Sequence, residues 1–170
     1  MSRIKRVVIG PAISGVALCC ILIGITVLQN TEIPENLTRE HGAEFRAAME
    51  RYFTVVQKAY GTTDTSELEL ETVMTQAEAE AMRSVLGDST TALYNRFYDF
   101  AITNFRVYEY SPTRAKVYVV KRTMNGYDVE IKTGKRTALY DNTVGVFYTL
   151  LKIDDTWKVS NIEVPGDLLP

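Results

Sequence analysis

Apolar residues recur at helical spacing in the first half of this chain and at alternating spacing in the second half. The first amphipathic segment predicts a helix that begins near residue 39 and ends at Gly61. Its apolar face consists of Phe45, Met49, Tyr52, Phe53, Val56, Ala59 and Tyr60. A short helix is predicted near residues 68–73, and a clearer one over 76–86 begins where Thr75 and Glu78 have the spacing of a capping box.

From residue 101 onward the apolar period changes from 3.6 to 2, which predicts antiparallel strands. Turns are predicted at 111–113, at Asn125-Gly126, which is the strongest hairpin signal in the chain, and at Asp154-Asp155. Residues 127–132 and 137–140 could also pair around a turn at Thr133-Gly134. Helices followed by strands predict an α+β fold, with about three helices on one face of a curved antiparallel sheet. Phe53 and Trp157 are predicted to be buried between helix and sheet.

Residues 7–28 contain no charged side chain and predict an N-terminal transmembrane helix. About 22 residues at roughly 1.5 Å each reach about 33 Å, enough to cross a bilayer core. Three basic residues precede the segment and Glu32 and Glu35 follow it, which predicts a cytoplasmic N-terminus. A cleaved signal peptide is the alternative, but the run is longer than the usual ~7–15 apolar residues. The predicted organisation is therefore a cytoplasmic tail (1–6), a single-pass transmembrane helix (7–28), a linker (29–37) and a domain outside the cytoplasm (38–170).

Small residues lie near one stripe of this predicted transmembrane helix. They are Gly10, Ser14, Ala17 and Gly24. Such a stripe allows a second helix to approach closely, which indicates a membrane protein partner or a homo-oligomer. The frequent use of glycine in membrane helices explains the same pattern equally well.

Charge and composition exclude several classes of function. The chain has 19 Lys+Arg and 21 Asp+Glu, and Arg3, Lys5 and Arg6 are its only charged residues before Thr31. The remainder is acidic, with 16 basic against 21 acidic groups, which argues against nucleic-acid binding. With one histidine and two cysteines, the chain offers no His-based metal site, disulfide scaffold or catalytic triad. No cofactor or metal is expected.

Three segments of the predicted domain resemble the nuclear transport factor 2-like superfamily of cone-shaped domains. They are the helix FRAAMERYFTVVQKAYG, the sheet segment YDFAITNFRVYEYSPTRAKVYVVKRT and the C-terminal segment VGVFYTLLKIDDTWKVSNIEV. The sheet segment is similar to the IMS-type branch found in proteins of organelle-division and membrane complexes. A membrane anchor before such a domain also resembles the periplasmic scaffold subunit of type IV secretion machines. The resemblance implies a cone formed by helices and a curved sheet.

Enzymes of this superfamily place an Asp/His or Asp/Tyr pair inside the cone, as general base and oxyanion donor. The resemblance implies that Asp99, with Tyr98 or Tyr108, is the comparable pair here. Asp99, Tyr108, Tyr118 and Tyr148 are therefore the candidate pocket residues. The preferred interpretation of these side chains is an ordinary turn or cap residue and half-buried strand tyrosines.

The candidate interface combines basic and aromatic residues late in the sheet. Its members are Lys132, Lys135, Arg136, Tyr127 and Tyr140. The favoured function is a non-catalytic protein-interaction domain, an accessory or scaffold subunit of a larger membrane-associated complex. The alternatives are binding of a small apolar ligand or lipid in the cone and, less favoured, an isomerase- or hydratase-like enzyme.

Overall fold

The computed structural model describes residues 34–165 except 63, 65–67, 88–92 and 138–139. These residues form two α-helices, one turn of 3-10 helix and a four-stranded antiparallel sheet. The helices are α1 (Pro34–Tyr60) and α2 (Gln76–Gly87), and the 3-10 turn is Leu70–Thr72. The strands are β1 (Tyr94–Ser111), β2 (Arg114–Glu130), β3 (Tyr140–Ile153) and β4 (Thr156–Glu163). Their spatial order is β1-β2-β3-β4, so consecutive strands are neighbours.

Helix α1 buries the apolar face that its spacing predicts. The buried side chains on this face include Phe45, Ala48, Met49, Tyr52, Phe53, Val56 and Ala59. The helix ends where the sequence predicts, and the N–H of Gly61 donates to the carbonyls of Gln57 at 3.2 Å and Lys58 at 3.1 Å. It begins at Pro34, earlier than the predicted start, and also buries Leu37.

The strands present a matching apolar face toward α1. Its buried residues include Phe105, Val107, Val117, Val119, Tyr148, Leu150, Trp157 and Val159. Aromatic rings fill the space between the two layers: the Phe45 and Trp157 centroids are 4.9 Å apart, and those of Phe53 and Tyr148 are 5.7 Å apart. The predicted burial of Phe53 and Trp157 is confirmed. Each large side chain removed from water contributes about 1.5–3 kcal/mol to folding.

Strand β1 lies at one edge of the sheet and is irregular at three places. Its register with β2 shifts at 97/99, 102/104 and 107/109. Beside each shift, a side chain of α1 forms a hydrogen bond with the β1 backbone. The three bonds run from Val107 N to Thr38 Oγ1 at 2.8 Å, from Arg46 Nη1 to Ile102 O at 3.4 Å, and from Gln57 Nε2 to Tyr98 O. Helix α1 therefore satisfies backbone groups that the irregular ladder leaves available.

Three of the four predicted turns are confirmed, and the one at Thr133-Gly134 belongs to a chain reversal after β2. β1 and β2 are joined by a turn at 112–113, and β3 and β4 by Asp154 and Asp155, with φ 48° and 58°. Positive φ at both central residues is the geometry of a type I′ hairpin turn. The turn predicted at Asn125-Gly126 is wrong, because β2 continues through it. Asn125 adopts φ 52° in a register shift against β3, so the permissive Asn-Gly pair forms a bulge instead.

The fold class predicted from the sequence is wrong in two respects. There are two α-helices in the described part of the chain, because the segment expected to form the second of three makes only one 3-10 turn. After this turn the segment pairs with β4 instead of continuing as a helix. The N–H of Val159 donates to the carbonyl of Val73, and the N–H of Thr75 donates to the carbonyl of Val159, both near 2.9 Å. The transmembrane helix is not supported, since no helix among the described residues is long and apolar enough to cross a membrane. The residues predicted to form it, 7–28, lie outside the part of the chain that the structure describes.

Candidate binding surface

The chain reverses direction directly after β2, in residues 131–137. Gly134 has φ 69°, a conformation that glycine adopts without steric cost, and its N–H donates to the carbonyl of Glu130 at 2.8 Å. The N–H of Glu130 donates to the carbonyl of Lys135 at 3.0 Å, and Arg136 pairs with Val129 in an isolated bridge. These bonds hold Lys135 and Arg136 against the end of β2.

An aromatic pair lies beside this reversal. Phe97 of β1 and Tyr127 of β2 are opposite each other in the ladder, and their rings stack with centroids 5.3 Å apart at 24°. The guanidinium carbon of Arg136 lies 4.2 Å from the Tyr127 centroid, within the range of a cation–π contact. Tyr127 thus joins an exposed aromatic ring to an exposed cation.

This pair and the exposed side chains of the chain reversal are together both apolar and basic. We refer to Phe97, Tyr127, Ile131, Lys132, Lys135 and Arg136 as the tip surface. Phe97 is 37% and Ile131 41% exposed, and the three cations are exposed.

The carboxylates next to the tip surface bind other groups. Asp128 accepts a hydrogen bond from Arg96 Nε at 2.9 Å, and Glu130 accepts one from Thr133. Among the described residues, no carboxylate forms an ion pair with Lys132, Lys135 or Arg136. Their charges are therefore available to an external partner.

A cavity of about 500 Å³ adjoins the tip surface, and we call it the end cavity. Its wall residues come from the end of α1 and from facing parts of β1 and β2, and they include Gln57, Lys58, Gly61, Phe97, Asp99, Asn125 and Tyr127. The carboxylate of Asp99 accepts a hydrogen bond from Asn125 Nδ2 at 2.9 Å. The end cavity shares Phe97 and Tyr127 with the tip surface, so one ligand can contact both.

A smaller cavity of about 260 Å³ lies on the side of the sheet that faces α1, and we call it the inner cavity. Lys121 and Thr123 of β2 line it together with Val144, Val146 and Tyr148 of β3. Burial lowers the pKa of Lys121 and raises the pKa of Tyr148, because both charged forms lose hydration there.

The four predicted pocket residues do not meet in one place. Asp99 lines the end cavity and Tyr148 the inner cavity. Tyr108 and Tyr118 contact each other with centroids 6.5 Å apart, and both contact Phe147. The residues on either side of Phe147 in β3 face the core, so these three rings lie on the opposite face of the sheet. Within the described residues, no group of three or more His, Cys, Asp or Glu side chains could hold a metal ion.

The predicted interface residues are partly brought together. Tyr127 and Arg136 are in contact, and Lys132 and Lys135 lie on the same chain reversal. Tyr140 begins β3, but its side chain is outside the described part of the structure. The predicted transmembrane contact residues, Gly10, Ser14, Ala17 and Gly24, are outside it as well.

Sequence reasoning missed Phe97, Lys121 and Thr123. The last two had a signal, because they continue the alternation that places Val117 and Val119 in the core. A lysine at a position in phase with core residues marks either a strand end or a polar site. Phe97 had no such signal, since the register shift beside it interrupts the alternation.

No protein-family model and no curated protein matches this chain. Among solved structures, the chain is similar to the crystal structure of the intermembrane space region of chloroplast protein ARC6, at 15% sequence identity and a TM-score of 0.44. The match covers 69% of this chain and 94% of that chain. At these values the likeness supports no conclusion about function, and membership of the nuclear transport factor 2-like superfamily is not confirmed.

Proposed function

We propose that the domain formed by residues 34–165 is a non-catalytic protein-interaction module that binds an acidic segment of a partner protein at the tip surface. The observation that supports this most directly is the position of Lys132, Lys135 and Arg136. Within the described residues these cations have no carboxylate partner, and they lie on the chain reversal next to Tyr127, whose ring contacts Arg136.

The composition of the tip surface suits protein recognition. Aromatic residues and arginine are enriched at protein interfaces, where they supply large contact area together with a polar group. Tyr127 and Arg136 are already in contact, so a partner would not have to order them separately. The surface therefore has a pre-organised centre.

Charge determines the kind of partner. The chain after residue 30 is acidic overall, yet the tip surface concentrates three cations. A partner with acidic side chains is attracted to this surface, whereas a basic partner is repelled by it, and salt weakens the attraction. Apolar side chains between the acids would contact Phe97 and Ile131.

The end cavity adds depth to this surface. Anchor side chains of a partner usually fill pockets near the centre of an interface. With about 500 Å³ between the end of α1 and the Phe97–Tyr127 pair, the cavity has room for one large apolar side chain. Lys58 at its wall adds a further cation on the side of α1.

Site-specific photocrosslinking in cells tests the proposal. A benzophenone amino acid replaces Ile131 or Lys132 on the tip surface, or Glu50 on the exposed face of α1 as a control. We expect a discrete protein adduct at 131 and 132 and none at Glu50. Adducts of equal yield at all three positions would contradict a specific site.

Charge reversal then tests the chemistry of the partner. Lys132→Glu, Lys135→Glu and Arg136→Glu together should lower the yield of the adduct at Ile131 by about tenfold or more, because each reversal turns attraction into repulsion. The matched control reverses three other exposed cations, Arg51, Arg106 and Arg114, and should leave the yield unchanged. Equal losses in the two triple variants would mean that net charge alone matters.

The non-catalytic part of the proposal has its own test. Asp99→Asn keeps an acceptor for Asn125, and Tyr108→Phe keeps the contact with Phe147. Both variants should retain the adduct and the cellular function of the protein. Loss of function in a folded double variant would instead favour a catalytic or ligand-binding role.

A further inference from the structure

The inner cavity contains polar groups that the described part of the protein does not satisfy. Thr123 is 5% and Tyr148 7% exposed, and neither side-chain hydroxyl has a hydrogen-bond partner among the described residues. Both residues line the cavity. Buried hydroxyl groups are nearly always hydrogen-bonded in proteins, so two free ones in the wall of a cavity indicate a ligand or bound water.

A cation lies in the same wall. The ammonium of Lys121 is 5.1 Å from the centroid of the Phe53 ring and 5.3 Å from that of Tyr98. These ring faces are its only close partners within the described part of the chain, where no carboxylate forms an ion pair with it. The second cation at the cavity, Arg96, is bound to Asp128. Lys121 thus supplies one positive charge that has no counter-ion among the described residues.

The rest of the wall is mixed, with Tyr60, Tyr98 and Asn142 beside two apolar side chains. Val144 and Val146 of β3 lie beside Tyr148, and the whole cavity measures about 260 Å³. This is below the ~300–1,000 Å³ of sites for drug-sized ligands, so a ligand enclosed here is small. Because Arg96 is bound to Asp128, the cavity offers one available cation, which does not suit a doubly charged, strongly hydrated phosphate.

We propose that the inner cavity binds a small organic monocarboxylate with a short apolar chain. The carboxylate pairs with Lys121 and accepts hydrogen bonds from Thr123 and Tyr148, while the chain contacts Val144 and Val146. This arrangement supplies the missing counter-ion and satisfies both hydroxyl groups at once. Lys121, Thr123 and Tyr148 do not line the end cavity, so this site stands or falls independently of the tip surface.

Calorimetric titration of the purified full-length chain tests the site. The probes are butanoate, hexanoate, hexanamide and inorganic phosphate at one pH and ionic strength. We expect saturable 1:1 binding of a carboxylate, with hexanamide at least about tenfold weaker because it lacks the charge. Phosphate bound as tightly as hexanoate, or no saturable binding of either carboxylate, would overturn the proposal.

Variants locate the site. Lys121→Met keeps the length and apolar stem of the side chain and should weaken hexanoate binding by about tenfold or more, while Tyr148→Phe and Thr123→Val should each weaken it severalfold. Lys132→Met, on the tip surface, is the control and should bind as the parent chain does. If Lys121→Met does not fold, the two variants Tyr148→Phe and Thr123→Val provide the test of the site. Unchanged affinity in that folded pair would refute the site.

Discussion

The indole N–H of Trp157 donates to the Oε1 atom of Glu44 at 2.6 Å, and this bond joins β4 to α1. The Trp157 ring also packs edge-on against Phe45, and Lys152 Nζ lies 5.9 Å from its centroid. One side chain near the end of the domain therefore fastens the last strand to the first helix.

Removing this bond while keeping the ring should cost a measurable part of the stability. In Trp157→Phe the aromatic contact with Phe45 is largely kept, and we expect a loss of about 1.5–3 kcal/mol, the usual range for a hydrogen bond to a charged group. Trp157→Ala also leaves a cavity and should cost about 3–5 kcal/mol. Urea unfolding measures both losses. It is followed by circular dichroism, because Trp157 is the only tryptophan and neither variant keeps its fluorescence.

Glu44→Gln is the control for this pair, because its amide oxygen still accepts the indole N–H. It should cost less than Glu44→Ala, which leaves the buried indole N–H without this partner. Equal losses in Glu44→Gln and Glu44→Ala would show that the carboxylate acts through its charge and not as an acceptor.

The centre of the core is expected to be more sensitive than its rim. Phe53 contacts Tyr52, Phe100 and Tyr148 edge to face, with centroids 5.3–5.7 Å apart. Phe53→Ala should lower the free energy of unfolding by about 3–5 kcal/mol. Arg51→Ala, at an exposed position of the same helix, should change it by less than about 0.5 kcal/mol in the same unfolding assay.

The side chain of Tyr118 lies so close to the backbone at position 145 that only glycine fits there without a shift. A Cβ at this position would lie 2.7 Å from Cζ of Tyr118, so the ring would have to move away. Gly145→Ala should therefore destabilise the fold by about 1–3 kcal/mol, as overpacking does. In a Tyr118→Ser background the same change should be close to neutral, and a double-mutant cycle measures the coupling. Equal costs in the two backgrounds would locate the strain elsewhere.

An ion pair between the 3-10 turn and α2 should make stability depend on pH in the acid range. Arg83 binds Glu71 through two bonds of 2.6 and 2.9 Å, which lowers the pKa of Glu71 from 4.5 to about 2. A carboxylate whose pKa is lower in the folded state stabilises the fold at pH values above its pKa in the unfolded chain. That contribution disappears as the pH falls from 4.5 toward 2.

Comparison of Glu71→Gln with the parent chain isolates this effect. The urea midpoints should differ above pH 5 and converge near pH 2. The difference should be modest and should shrink in high salt, because the side chains of Arg83 and Glu71 are 35% and 47% exposed. Glu69→Gln, an exposed neighbour without such a partner in the described structure, is the control. A constant difference at every pH would exclude the ion pair as its cause.

The regular elements could be predicted from the sequence because local rules determine them. The apolar face of α1 and the stop at Gly61 follow from helical periodicity, and Asp154-Asp155 forms the turn that its residues favour. Asn125-Gly126 was misread because the same backbone freedom serves a turn or a bulge. Only the strand pairing with β3 decides between them.

The candidate sites were harder to predict, since they depend on register. Tyr127 and Arg136 were selected because they lie in a predicted hairpin region that combines aromatic and charged groups, but their direct contact depends on how the chain reverses at Gly134. Asp99 and Tyr148 line different cavities, because the shifts in β1 change which side chains share a face. These shifts lie beside contacts with α1 that are distant in sequence.

The bonds from α1 to the backbone of β1 restrict how other chains can associate with this sheet. Peptide recognition by strand addition needs a free row of N–H and C=O groups at an edge, and such rows also seed fibril growth. Three positions on the β1 edge are bonded to Thr38, Arg46 and Gln57, and β4 is bonded to residues 73 and 75. At both edges of the sheet, backbone groups are therefore already hydrogen-bonded within the domain. Local detachment of α1 would free those of β1 and turn the strand into a template for aggregation.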